Sequence, residues 1–316
     1  MILKLVLSRI ATGLLTLLAV SFIIFVATEI LPGDVAARAL GRFATEEAKQ
    51  IFRQQLHLDR PVPERYVIWL SGIVQGHLGK SIVNQIDVGD VVGPKLAHTL
   101  ILATYALALY VPLSLALATC AAVFRDRPLD AAISLFTLVG LSVPEFALAT
   151  ILLIAFAVTF PIFPVLSVIA TAKSVPDLIR TLTLPAVTLA IAMSVYAIRM
   201  LRDNLIEVLD SEYVRMATLK GVPRYRVVLW HALPNALGPA LNVTALNLAY
   251  LIGGVVVVER VFSYDGIGSL LVESVFLRDA PLIEVTALVV SAVYILANLL
   301  ADVMAIVLNP RLRTAR

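Results

Sequence analysis

Side chains that could do chemistry are few in this 316-residue sequence, and they stand far apart. His57, His77, His98 and His231 are the only histidines and show no metal-ligand spacing. Cys120 is the single cysteine, so no intrachain disulfide or cysteine cluster can form. H-E-x-x-H, G-x-S-x-G and the phosphate-cradling G-x-x-x-x-G-K-[ST] are all absent, and Gly266-Ile-Gly268 lacks the third glycine of a dinucleotide loop. Any ATP hydrolysis therefore belongs to another chain. What remains is polar chemistry embedded in apolar sequence: Glu145, Arg199, Asn242, Thr244, Asn247 and Asp302. Charges at membrane depth are costly and face a cavity or a partner. Glu145, the one charged residue from Ala131 to Ala172, either lines a path or lies near the cytoplasmic end of its helix. Arg199 reads as an interfacial anchor, and Asp302 as a helix-packing contact. Thr244 and Asn247 lie about 60° apart around a helix, with Asn242 pointing elsewhere. For all three, hydrogen bonds between helices are the default role.

The elements that must position these groups follow from composition. Hydrophobic residues make up 60% and charged residues 15%, the mean hydropathy is +0.93 and the net charge is +3. A soluble globular chain carries about 25% charge, so soluble enzyme folds and disorder are excluded. A β-barrel would show ~10-residue alternating segments, whereas the apolar runs here are long and continuous. The fold class is all-α integral membrane.

A helical span needs roughly 20 apolar residues. Residues 10–28 and 99–124, both uncharged, give the first two spans. The length of the first predicts an uncleaved span and not a signal peptide. A third, long and tilted, runs near 132–160 with a kink at Pro144, and Pro161 and Pro164 end it. The others run near 183–200, 236–258 and 284–308, making six. Residues 131–172 could hold two spans, so seven is the alternative. Arg125 and Arg127, the basic residues from Arg199 to Arg226, and Arg311, Arg313 and Arg316 then share one side. That places both the N and C termini in the cytoplasm.

Three regions result: an N-terminal segment with the first span (1–30), an extracytoplasmic loop or cap (31–98), and a core (99–316) with a cytoplasmic loop at 199–235. The cap predicts helices over Glu46–Leu56 and Glu64–Val74, the second with Tyr66, Trp69 and Leu70 on its apolar side.

The 199–235 loop carries the most information. Leu201, Leu205, Val208, Leu209, Met216 and Leu219 form an apolar stripe on a charged helix. Gly221 supplies a stop, and Pro223 opens a second helix through Arg224, Arg226 and Trp230 to Leu233-Pro234. Two readings are open: a docking element for a soluble partner, or an amphipathic helix lying on anionic lipid.

The run Glu212-Tyr-Val-Arg-Met-Ala217-Thr-Leu-Lys220-Gly221, followed after nine residues by His231-Ala-Leu233-Pro234, resembles the EAA loop of binding-protein-dependent ABC importers. Arg215, Met216 and His231 depart from the general pattern but are similar to its peptide and nickel branch. The resemblance extends along the chain through Leu31-Pro-Gly-Asp34, Gly76-His-Leu-Gly79-Lys-Ser81, Ser142-Val-Pro144-Glu145-Phe146, Leu184-Pro185, and Asn298 to Asp302. Glu259 with Val261-Phe262-Ser263-Tyr264-Asp265-Gly266-Ile-Gly268 resembles another motif of that branch, with Tyr264 and Asp265 replacing its Trp and Pro.

The resemblance implies a type I ABC importer permease fold of six transmembrane helices in the bacterial cytoplasmic membrane. Its partners would be a second homologous permease subunit, two cytoplasmic ATPases that bind ATP and Mg, and an extracytoplasmic solute-binding protein; no nucleic acid is implied. The chain would hold no cofactor or metal and be no enzyme itself. Glu212, Ala217, Lys220, Gly221, Val222, Pro223, Arg224, His231, Leu233 and Pro234 would form the coupling loop. Ser142, Glu145, Asn242, Thr244 and Asn247 are candidates for the path. Glu259, Phe262, Tyr264, Asp265, Gly266 and Gly268 would form an outer-mouth loop, its glycines permitting a tight turn. Peptide is the first substrate choice, with nickel chelates, glutathione or opine-like solutes as alternatives. An ion-coupled secondary transporter is the rival class, disfavoured because no intramembrane carboxylate pair or internal repeat is evident.

Overall fold

The computed structural model describes residues 2–30, 45–55 and 60–308. The Leu31-Pro-Gly-Asp34 turn, His57 and the basic tail fall outside these residues, as do the side chains of Asn242 and Asp302. The described residues are overwhelmingly helical. In chain order the helices are α1 (Ile2–Glu29), α2 (Glu46–Gln55), α3 (Val62–Val74), α4 (Val88–Val123), α5 (Pro128–Ser142), α6 (Glu145–Leu153), α7 (Val175–Leu209), α8 (Glu212–Leu219), α9 (Leu233–Val261), α10 (Ile267–Leu277) and α11 (Ala280–Leu308).

Local signals set their ends. Asp87 caps α4 by accepting a hydrogen bond from Gly89 N at 2.8 Å, and Ser174 caps α7 from Asp177 N at 3.3 Å. Among the described residues four helices are long and apolar enough to cross a membrane, or five if one bent pair counts as a span. That pair is α5 with α6 and its extension to Thr159, bent by 111°. The expected kink is therefore a break. Val143 must leave the helical region because it precedes proline; Val143 at ψ 121° and Pro144 at ψ 146° are both extended, which resets the helix direction.

Helix α7 outruns the expected span of 183–200. Its 35 residues extend about 52 Å at 1.5 Å per residue, well beyond a hydrocarbon core of ~30 Å. Leu201 and Leu205 thus belong to this one helix, and the chain breaks only at Asp210-Ser211. The second helix of the loop does not stop at Leu233-Pro234 either. A turn at Arg224–Arg226 and a wide π turn at Val227–Ala232 run straight into α9. Proline lacks an N–H and clashes with the carbonyl four residues back; a locally widened helix accommodates both defects.

Helix α4 lies along α7, α9 packs on α7 and α11, and α1 rests on α11. Buried Ala106, Ala186, Ala190 and Ala197 form part of the main core, where small side chains let helices approach closely. The aromatic side of α3 packs on α1, with Tyr66 and Trp69 rings 5.5 and 5.6 Å from Phe25. Tyr66 Oη and Ser21 Oγ share a 2.8 Å hydrogen bond.

Candidate coupling surface and translocation path

The hairpin between α7 and α9 is built around one left-handed residue. Gly221 has φ +78°, a conformation that costs an L side chain roughly 1–2 kcal/mol. Its N–H donates to Thr218 O at 3.0 Å, while Val222 N–H donates to Ala217 O at 3.2 Å. These are the paired bonds of a Schellman motif. Ala217 and Val222 both pack on the core beneath, where Leu201, Leu205, Val214, Val227 and Ala232 are buried with Ala118 and Ala122 of α4. Pro223, extended at ψ 143°, turns the chain, and its carbonyl accepts the Arg226 N–H at 2.9 Å. Tyr213 Oη donates to His231 O at 3.3 Å and closes the hairpin.

The opposite side of the hairpin is open. Leu219 and Trp230 are each 75% exposed, with Met216 and Tyr225 also exposed. Glu212 and Lys220 stand exposed at the two ends of α8, as does Arg224 at the following turn. Arg224 Nη2 donates to Val123 O at 3.2 Å, tying the hairpin to the end of α4. Leu233 is half-buried, and Pro234 is exposed on the first turn of α9.

The expected path residues occupy different environments. Ser142 is exposed on the last turn of α5, its hydroxyl donating to Leu138 O at 3.1 Å. Glu145 is half-buried at the break between α5 and α6, with its carboxylate against α9: a Cβ on Gly254 would lie 2.8 Å from Glu145 Oε1. Asn247 Nδ2 donates to Tyr110 Oη at 3.1 Å and to Met193 O at 3.0 Å. Tyr110 Oη also lies 3.1 Å from Thr244 Oγ1. Thr244 and Asn247 therefore join α9 to α4 and α7.

At the other end of α4, the 259–268 loop closes on a buried carboxylate. Glu259 accepts hydrogen bonds from the Thr99 hydroxyl and from Ser269 N at 2.9 Å, and Thr99 Oγ1 accepts from Ile267 N at 2.8 Å. Neither Gly266 nor Gly268 has positive φ; that conformation falls to Ser263 at +51°. The glycines are required by space, not by the turn. A Cβ on Gly266 would lie 1.9 Å from Glu259 Oε1, and one on Gly268 would lie 2.7 Å from Val256 Cα. Asp265 pairs with Lys95, and Tyr264 Oη donates to His98 O at 2.6 Å. Burial, reinforced by the Glu259 and Asp265 charges, pushes the Tyr264 phenol up and keeps it protonated. Phe262 is fully buried beside them.

Comparison with known proteins adds the deciding observation. Residues 111–314 match the binding-protein-dependent transport system inner membrane component family, and residues 2–103 match its N-terminal membrane component. The chain belongs to this family. A relative in Brucella melitensis biotype 1, named for a peptide transport system permease, is 34% identical over 99% of each chain. One in Sinorhizobium fredii, named for a peptide ABC transporter permease, is 33% identical over 98% of each. The glutathione transport system permease protein of an Escherichia coli strain is 35% identical over 94% of this chain and 95% of its own.

The permease is thus a multi-pass protein of the bacterial inner membrane and the non-catalytic membrane subunit of an ABC importer. Sequence reading found its hairpin because backbone demands at Gly221 and Pro223 leave local signatures. Other contacts that hold the permease together were missed. Asp279, almost wholly buried, accepts from the Ser81 hydroxyl and from Ile82 N at 3.1 Å, clasping the 81–87 loop to the turn before α11. Glu284 is buried and accepts from Thr28 Oγ1 at 2.6 Å, joining α11 to α1. For Glu284 the available signal was a carboxylate flanked by the apolar Ile283 and Val285, whereas Asp279 follows Arg278 and gave none; both partners lay far away in sequence.

Proposed function

We propose that this chain and a second homologous permease subunit form the path for di- or oligopeptides across the cytoplasmic membrane. Two separate ATPase subunits, binding ATP and Mg in the cytoplasm, drive transport, and an extracytoplasmic solute-binding protein delivers the substrate. The observation that carries this reading is the hairpin at Gly221. A Schellman-terminated apex with exposed Leu219 rests on a buried base, in a chain related to proteins named for peptide transport. A rigid apex transmits a push from a partner; a frayed loop would absorb it.

In this reading six spans cross the membrane, counting α5 with α6 as one and α9 as another, with both termini cytoplasmic. Residues 31–98 form an outer cap, and 199–235 the coupling region. Glu212, Ala217, Lys220, Gly221, Val222, Pro223, Arg224, His231, Leu233 and Pro234 form the coupling loop that engages the ATPase, with Ala217, Val222 and Leu233 seating it on the core. Ser142, Glu145, Asn242, Thr244 and Asn247 belong to the path, and the loop from Glu259 to Gly268 closes its outer mouth. Glutathione is the second substrate reading, supported by the relative named for its transport.

The test is ATP turnover by the complex purified on this chain, with the binding protein empty or loaded with dipeptide, oligopeptide or glutathione. Stimulation by a peptide-loaded form is expected. Stimulation by glutathione alone would replace the substrate, and the absence of a co-purifying ATPase would overturn the reading.

A further inference from the structure

A cavity of about 480 Å³ opens between the end of α4, the last turns of α7 and the Gly221 hairpin. Arg125, Arg127 and Arg224 line it with one carboxylate, Asp210, around an apolar floor that includes Leu209 and Val227. Asp210 is already engaged. It pairs with Arg125 at 3.1 Å, and Asp126 adds a second contact to the same guanidinium at 3.5 Å. Uncharged groups hold the other two arginines: Arg127 lies over the Phe124 ring at 5.8 Å, and Arg224 donates to Val123 O at 3.2 Å. Among the described residues neither of these two meets a carboxylate. Two anchored guanidinium groups thus stand beside an apolar floor without a counter-charge.

On the reading of the hairpin as the ATPase-coupling element, we propose that this cavity is a socket for an acidic side chain of the ATPase subunit. The socket is a second contact, separate from the apex. Leu219 projects from the end of α8, whereas the socket recruits Arg127 from the turn between α4 and α5, outside the 199–235 loop. In the six-span topology that turn is cytoplasmic, the side on which the ATPases stand. Charge decides what the occupant must be. Guanidinium forks pair bidentately with carboxylates, and an apolar floor keeps water from such a pair, the setting in which an interface arginine becomes a hot spot. The volume has room for the acidic side chain and its apolar neighbours. A partner held at both apex and socket can pull the hairpin as well as push it.

A photo-crosslinking residue placed at Asp210 in the full complex tests the socket, with one at Leu219 as the apex control. The Asp210 position should crosslink to an ATPase segment that carries Asp or Glu, mapped by mass spectrometry. Arg127→Glu should weaken ATPase retention at low salt about tenfold, the scale of one close charge pair across an interface, and Arg127→Lys should keep most of it. Changing the mapped acidic residue to Arg should restore retention by Arg127→Glu. Thermal unfolding of each variant reports whether it folds. A crosslink at Leu219 with none at Asp210 would overturn the socket and leave the coupling reading standing. So would a mapped segment without Asp or Glu, or a folded Arg127→Glu complex that keeps its ATPases undiminished. No crosslink at either position would overturn both.

Discussion

Arg202 lays two nitrogens on the two carboxylate oxygens of Asp130, Nε to Oδ1 at 2.6 Å and Nη2 to Oδ2 at 2.7 Å. The bidentate pair bolts α5 to α7 near the Gly221 hairpin, and Asp130 also accepts Asp126 N at 3.0 Å. Asp130 is nearly buried, so removing its partner strands a charge. Arg202→Leu should cost about 3 kcal/mol, read as a lowered unfolding temperature of the purified complex. Asp130→Asn combined with Arg202→Leu should cost less than the two single changes added together. Strict additivity would show that the pair carries no coupling.

Gly221→Val should lower stability by about 1–2 kcal/mol through the left-handed backbone alone, because no atom lies within 4 Å of a Cβ built there. Gly221→Asn, which tolerates that conformation, should restore most of it. Membrane insertion should be normal in both. Substrate-stimulated ATP turnover should drop for Val far more than for Asn; equal loss in both would mean that something other than backbone geometry matters at the apex.

The Glu259 cradle predicts a compensation. Gly266→Ala places a methyl carbon inside the carboxylate and should destabilise by roughly 1–3 kcal/mol or more. Glu259→Ala empties that space, so the double variant should be more stable than Gly266→Ala alone. Unfolding curves of the three proteins decide it, and a double variant worse than either single one would refute the steric account.

Topology is checked by thiol labelling in a Cys120→Ser background. A cysteine at Asn84, exposed near the Ser81–Asp279 clasp, should react with an impermeant reagent from outside intact cells. One at Leu219 should react only after the cytoplasmic side is opened. The reverse pattern would invert the chain in the membrane.

Glu145 provides a test of the path. Glu145→Gln keeps the shape against Gly254 and removes the charge. If this carboxylate meets a substrate ammonium, uptake of free peptides should fall several-fold, about 1 kcal/mol, while uptake of an N-acetylated peptide stays level. Equal effects on both would remove Glu145 from substrate recognition.

Several features were legible from the chain alone because they depend on local chemistry. Apolar runs longer than a bilayer span dictate the solvent, and Gly221 with Pro223 two residues on marks the hairpin whatever surrounds it. The 111° break at Pro144 was half legible. Pre-proline sterics demand a departure from helix at Val143, but its angle depends on what the two halves pack against. Helix ends near Pro234 were misjudged for a similar reason: a proline forbids one hydrogen bond, and the buried base around Val227 and Ala232 lets the helix widen rather than stop.

Sequence by itself determined that this protein is a bundle of membrane helices with a glycine-turned hairpin, since periodicity, length and backbone preference act between near neighbours. Only the tertiary structure decided which polar groups meet. Asp130 finds Arg202 at a separation of 72 residues, Thr99 finds Glu259 at 160, and Ser81 finds Asp279 at 198. A carboxylate in an apolar segment announces that it needs a partner, because an unpaired buried charge is too costly. Which partner it gets is set by how helices cross, a property of the packed bundle rather than of any short stretch of chain.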